Sequence, residues 1–558
     1  MDVPWQFITI SSLAGSFGLL RLAPQYSPSS YFVATFLLVF LVESIVAVTW
    51  QAIIWPRFVS PLRHLPEPPG ASFLNGHFAT ISKEATGHPQ RRWFKEVPND
   101  GLIRYRALLN QERILPTTHE AFKEVLSTKS YDFIKPVMTR NGLARILGVG
   151  VLLAEGEEHK RQRRSLDPAF ETRHIRDLHP TFWALSGKLV HALTSWIENE
   201  GKGRITSLSD APVVEISTWT SRATLDIIGI AGMDKNFDAI ANPDSELYGT
   251  YQKVFQPSRG QQLLGLMSFF LPQWFVRSLP FAHNETMAGA AKTIRKVCRQ
   301  LISEKQEKLK LLEKEVQEPR LQGPTDKDIL SVAIKSGQFT TDNLVDQLMT
   351  FLAAGHETTA TSLTWAFYSL CEYPEIQARL REEVRTHLPS IDDASAMITA
   401  ALLSQCHYLH AVCHEVLRFW AIVPLTLREA AHDTTLQGQF VPKGTKIIIP
   451  AWAVNTAVSM WGPDAEKFNP ERWMAPGQAN RGGAESAYAN LTFLAGPRSC
   501  IGKQFALAEF ACLLAALVGK FEFEFEDPDY PAKMKIKGGI TTRPKEGVSV
   551  RMRALDGW

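Results

Sequence analysis

Residues 493–502 read FLAGPRSCIG and set Cys500 between Gly496 and Gly502, which let the backbone turn and approach closely, just ahead of a helix-forming run, KQFALAEFACLLAALV. A thiol beside a helix amino terminus meets free N–H groups and the positive end of the helix dipole, and both favour its anion. A thiolate there can be a nucleophile, a zinc ligand or an axial ligand of a haem iron. A nucleophile needs a histidine base in reach and zinc needs three further ligands, and neither stands near in sequence. An inert buried cysteine is the plain alternative. A second cluster lies in residues 344–370, a long apolar helical run interrupted in character at AGHETT, residues 354–359. Gly355 costs roughly 1 kcal/mol against alanine inside a helix, so something other than helix stability is served there. A threonine hydroxyl can bond a preceding carbonyl and open a groove, and a neighbouring acid can pass protons. A kinked core helix is the plain alternative, and a zincin motif fails because position 360 is Ala.

The elements that must hold these groups are mostly helical. Apolar residues recur at three and four spacing through 178–197, 213–230, 287–310, 344–370, 376–388 and 406–419. Strand signals are fewer: 101–106, 446–449 and the alternating FEFEFE of 521–526. The fold class is α+β, mainly α, with a large helical part and a smaller β-rich part. No internal repeat is present, and the charged run 305–327 reads as a solvated helix end and exposed loop. With 558 residues, 45% of them hydrophobic, the chain can bury a large core in one catalytic unit. Its six cysteines show no paired framework, and a net charge of +3 gives no global footprint for nucleic acid.

The amino-terminal part, residues 1–60, reads as a membrane anchor. Residues 31–55 hold 25 positions that as a helix would span about 37 Å, against a hydrocarbon core of about 30 Å. Glu43 opposes insertion by roughly 3 kcal/mol, but the Phe, Leu, Ile and Val residues around it more than offset that. Trp50 and Trp55 suit an interface, and Arg57 and Arg63 place the body of the chain in the cytosol by the positive-inside rule. Residues 3–22 are a weaker candidate for a second span; a cleaved signal peptide is disfavoured because Asp2 stands where a basic cluster should. Four prolines in residues 60–70 make a stiff hinge, and the catalytic body occupies 71–558.

These motifs together resemble the cytochrome P-450 family over roughly residues 61–553. Phe493, Gly496, Arg498, Cys500 and Gly502 match its haem-binding signature at all five fixed positions. The resemblance implies haem b with Cys500 as axial thiolate, whose electron donation favours O–O cleavage. It implies Arg498 on a propionate, Phe493 against the ligand loop, and N–H groups after the cysteine tuning its basicity. Glu357 and Thr358 match the oxygen-activation motif as acid and alcohol. Glu415, Arg418 and Arg472 match the family's charge network, in the segments EVLR and PERW. His159 and Arg163 match a Trp-x-x-x-Arg propionate pattern, with histidine replacing tryptophan. The surrounding HKRQRR is either a solvated face or a docking surface for an acidic flavoprotein. Cys406, His407, His410, Cys413 and His414 imitate a metal site by spacing, but the family's helix already accounts for them.

By the same likeness, residues 133–153, Phe351, Ala354 and the turn 422–427, with Val423 and Leu425, line an apolar substrate pocket. The function implied is a monooxygenase inserting one atom of O2 into a lipid, terpenoid or polyketide, in the style of fungal secondary metabolism. Electrons would come from NADPH through a separate cytochrome P-450 reductase, with cytochrome b5 as a further candidate partner. The expected location is the endoplasmic reticulum membrane, single-pass, with the body facing the cytosol. The rivals are a reductase-independent haem-thiolate isomerase or dehydratase, against which Glu357 and Thr358 argue, and a non-catalytic membrane haem-binding protein.

Overall fold

The computed structural model describes residues 5–201, 207–255, 259–271, 273–315, 328–393 and 396–558. The chain divides into two compact units. The first comprises Met1–Pro136, Pro424–Ala457 and Leu494–Pro497; the second comprises Val137–Val423, Val458–Phe493 and Arg498–Trp558.

The first unit opens with helix α1 (Trp5–Leu22) and helix α2 (Phe32–Thr49), which pack on each other. The α2 path continues in a wider helical winding, Trp50–Val59, through Pro56. The span therefore runs past residue 55, because the wider turn accommodates a proline that lacks an N–H. The unbroken Phe32–Val59 helix is long and apolar enough to cross a membrane. Val3 and Pro4 of the weaker segment lie outside the described residues.

The core of this unit is a five-stranded sheet. Leu102–Arg106 pairs antiparallel with Glu112–Pro116, which pairs parallel with Lys446–Ile449. Thr426–Ala430 and Phe133–Ile134 complete it. Ile103, Tyr105, Leu115 and Ile448 project from it into one apolar cluster with Trp93 and Val97. The proline-rich hinge is bound to this sheet. Arg104 donates to the Pro56 carbonyl, to Glu112 and to Glu67, at 3.0, 3.0 and 2.7 Å. Its own N–H donates to the Pro66 carbonyl at 2.9 Å, and Arg106 also holds Glu67, at 2.7 Å.

The second unit carries most of the helix. Helix α3 (Gly156–Leu166) precedes the longer His179–Glu200. The expected helix at 213–230 starts later: Val213–Glu215 is a strand and the helix runs Ile216–Met233. The cause is local, since the Glu215 side chain accepts from the N–H groups of Ser217 and Thr218 and caps the helix there. Helix α4 (Thr341–Glu372) contains AGHETT without interruption. The expectation of a broken helix is corrected by packing: a Cβ on Gly355 would sit 2.9 Å from Ile228, so glycine lets the two helices approach. Helix α5 (His407–Trp420) and helix α6 (Lys503–Lys520) both pack on α4. The strand Phe521–Phe525 buries its phenylalanines alternately and pairs with Ser549–Ala554. The charged run is helical to Glu315, and its predicted loop, 316–327, lies outside the described residues.

Arg104 is a buried cation facing two carboxylates, so Arg104→Ala takes a partner from each and leaves Glu67 to Arg106 and Glu112 to the Ser60 hydroxyl. It should destabilise the first unit by about 3 kcal/mol. Limited proteolysis should then show faster cleavage within residues 60–70 while the parent chain resists.

Candidate active site

The site is built from one buried carboxylate outward. Glu415 on α5 is fully buried and accepts from five donors. These are Arg418 Nε and Nη2, both at 2.8 Å, the Asn469 N–H at 2.7 Å, Arg472 Nε at 3.2 Å and Trp473 Nε1 at 3.0 Å. Arg418 spends its remaining reach on the carbonyls of Ala465 and Lys467, at 2.7 and 2.9 Å. The three residues predicted as a charge network are thus brought together. Asn469, Trp473 and Asp464, which pairs with Arg472 at 2.8 Å, join them. Spacing reveals the Glu415–Arg418 pair, but nothing in sequence marks a backbone N–H or an indole as the other donors.

From α5 the structure leads to the cysteine. Thr492 Oγ1 donates to the Leu417 carbonyl at 2.9 Å, and next to it the Phe493 carbonyl accepts from the Cys500 N–H at 2.9 Å. Phe493 thereby fixes the loop through its backbone, while its ring lies 5.9 Å beneath Lys503 Nζ. Gly496 has φ 75° and its Cβ would collide with the Leu126 carbonyl, so both the turn and the close approach demand glycine. Gly502 differs. Its φ is −86° and a Cβ would meet only Phe170, at 3.8 Å, so the expected turn requirement is not seen. Its N–H instead points to the Cys500 sulfur.

Cys500 is solvent-accessible, yet protein packs closely around its sulfur. The expectation that the loop alone makes an anion is corrected. Burial raises the thiol above its ordinary value, and the Gly502 N–H, Arg163 and Lys503 pull it down only in part. A bound cation would complete the shift.

Arg498 is buried and ion-paired with Glu155, at the amino end of α3, a partner that sequence does not indicate. Arg163 donates to the Ser499 carbonyl and to Asp167, both at 2.7 Å. His159 is buried on the same helix. The two pattern residues therefore share one helix that abuts the cysteine loop. The neighbouring cations are largely paired, Lys160 with Glu157 and Arg161 with Glu158, which favours a solvated face over a bare docking patch.

Helix α4 is buried from Gln347 to Leu370, except at Ala354, which is exposed, and at Gly355 and Thr358, which are half-buried. Thr358 Oγ1 donates to the Ala354 carbonyl at 2.8 Å, so the hydroxyl and the accessible strip share one face. Glu357 points elsewhere. It is buried, accepts from Thr541 Oγ1 at 3.3 Å and lies 3.5 Å from Arg543. Burial raises its carboxyl above the usual range, against the pull of Arg543. Phe351 packs on Phe170 at 5.6 Å, and Phe170 flanks Gly502, so ring contacts link α4 to the cysteine loop. Val423 is half-buried in this second unit, whereas Leu425 belongs to the first and packs on its apolar cluster. Phe133 also lies in the first unit, while residues 137–153 lie in the second.

These residues fit a haem. An accessible thiol precedes a helix amino terminus, two cations bracket its loop, and an open strip interrupts an otherwise buried helix. The metal-like spacing on α5 resolves differently: His414 stacks on Trp473 at 4.9 Å, His410 Nε2 meets the Leu403 carbonyl, and Cys413 is buried in the core beside Cys512.

Two effects follow from α5. Arg418→Ala removes two donors from a buried carboxylate and should cost about 3–5 kcal/mol in denaturant unfolding. Burial pushes His414 from 6.5 down to about 4. The unfolded chain therefore takes up this proton first as pH falls, and the parent loses stability through that window by about 1.4 kcal/mol per pH unit. His414→Phe keeps the ring and lacks this loss, so its stability relative to the parent should improve steadily from pH 6.5 to 4.5.

Comparison with known proteins agrees with this geometry. The family model for cytochrome P-450 matches residues 66–550. The chain is 43% identical to cytochrome P-450 monooxygenase sphH of Aspergillus fumigatus over 530 residues, covering 94% of each chain. It is 43% identical to FUM15 of Gibberella moniliformis, covering 91% of this chain and 90% of the relative. It is 41% identical to ALT8 of Alternaria alternata, covering 91% and 92%. Both relatives carry the same monooxygenase designation. With its thiol-bearing loop, its buried charge network and a match over most of its length, the chain belongs to the cytochrome P-450 family.

Proposed function

We propose that this chain is a membrane-bound haem-thiolate monooxygenase in which Cys500 would supply the thiolate that holds haem b. The observation that carries the proposal is the accessible thiol of Cys500, whose backbone N–H is held by the Phe493 carbonyl and whose loop is flanked by Phe170, itself packed on Phe351 of α4. When bound, haem supplies the redox centre at which dioxygen is reduced and split. In the balanced reaction, substrate R–H, O2, NADPH and a proton give R–OH, water and NADP+.

The chain's own residues hold and feed that centre. Gly502 N–H steadies the Cys500 sulfur, and Arg498, with Arg163 and His159 on α3, would hold the propionates. Thr358 presents its hydroxyl on the accessible face of α4 and holds the water that delivers protons. Glu357 draws those protons from the Thr541 and Arg543 side, where Arg543 reaches solvent. Phe351, Ala354 and Val423 offer an apolar wall, which suits a terpenoid or polyketide, and the fungal relatives support a role in secondary metabolism. Electrons come from NADPH through a separate reductase, with cytochrome b5 as a second donor. The Phe32–Val59 helix anchors the chain in the endoplasmic reticulum, and Arg57 and Arg63 support a cytosolic body.

With reductase, NADPH and 18O2, the product should gain one labelled oxygen per turnover; turnover that persists without any electron donor contradicts the proposal. Thr358→Ala should lower the ratio of product to NADPH consumed. Glu357→Gln should slow turnover by about 10²-fold or more, as loss of a proton-transfer group does.

A further inference from the structure

Helix α1 is built inside out for water. Phe7, Ile10 and Phe17 are 70, 66 and 59% exposed, while Ser12 and Ser16 are fully buried. The buried line through Ile8, Ser12 and Ser16 repeats every four residues, so it forms one face, and that face meets α2. A Cβ on Gly15 would lie 3.8 Å from Val39, so small residues let the helices approach closely. Across this interface Ser11 and Ser12 donate to Glu43 Oε2 at 2.5 and 2.8 Å. Glu43 is the acidic residue that opposes insertion of α2, and Ser11 and Ser12 lie near the middle of α1. Its partners come from α1. The return is tight as well: Thr35 Oγ1 donates to the Ser29 carbonyl at 2.9 Å and meets Ser27 Oγ at 3.1 Å.

We infer that α1 is a second membrane span, paired with α2 as a hairpin through Glu43, so that Trp5 lies on the same side of the bilayer as the catalytic body. The inference rests on the reading of α2 as a membrane anchor. The occupant of the outer face of α1 is lipid hydrocarbon, because this face continues the exposed apolar surface of α2, where Leu37, Leu41 and Ile45 are exposed. Eighteen residues give about 27 Å of helix, against about 30 Å of hydrocarbon. Serine at the helix contact and apolar residues outside is the arrangement lipid selects, since a buried carboxylate in hydrocarbon must find its donors within the protein.

The test places a glycosylation acceptor either at the amino end or, with spacers, in the connection 23–31, in the full chain on microsomes. The hairpin predicts modification at the connection and none at the amino end. Modification at the amino end overturns it in favour of a single span. A chain that resists alkaline carbonate but is modified at neither position also overturns it. Release of the chain by carbonate means instead that the anchor reading itself has failed. In the hairpin, Ser11→Ala with Ser12→Ala strips Glu43 of both donors and should shift part of the amino-terminal acceptor to the modified form. An unchanged pattern overturns the Glu43 pairing.

Discussion

A fully buried carboxylate must be surrounded by donors, and the way Glu415 meets that requirement organises the whole catalytic unit. Its five donors come from α5 itself and from residues 469–473, so two segments distant in sequence are fixed to one point. Such a cluster need not add net stability, because desolvation consumes much of the Coulombic gain. Its effect is positional. With α5 fixed, the Leu417 carbonyl holds Thr492, and the next residue holds the Cys500 N–H. The position of the sulfur is therefore inherited from an ion pair 82 residues upstream, Arg418 to Cys500.

Helix α4 meets a different requirement. It needs a polar, accessible patch without losing its backbone hydrogen bonds. Hydroxyls at Thr358, Thr361, Ser362 and Thr364 all donate to the carbonyl four residues back, so a polar run is satisfied within the helix. Gly355 brings the Ile216–Met233 helix close, and Thr224 Oγ1 from that helix donates to the His356 carbonyl at 3.0 Å. The open strip at Ala354 and Thr358 is left on a rigid support. Glu509, fully buried on α6, lies beside this support, and burial raises its carboxyl well above the usual range.

Much of this was legible in sequence. Period-two alternation located the Phe521–Phe525 strand, helical spacing located α4 and α5, and the cysteine signature located the loop. What was illegible depends on partners distant in the chain. Gly355 looked like a helix breaker because sequence does not display Ile228 against it. Gly502 looked like a turn residue, while the strained position is Gly496. The anionic character assigned to Cys500 took account of the helix dipole but not of the protein mass around the sulfur. Glu155, Thr541, Arg543 and Trp473 carry no motif; they matter through the atoms they face.

The thiol of Cys500 is the claim on which the rest stands, and ligation leaves a direct optical mark. Membranes holding the parent chain, reduced and treated with carbon monoxide, should show the red-shifted Soret band of a thiolate-ligated haem, and Cys500→Ala should abolish that band. A band that survives the substitution unchanged would contradict Cys500 as the ligand.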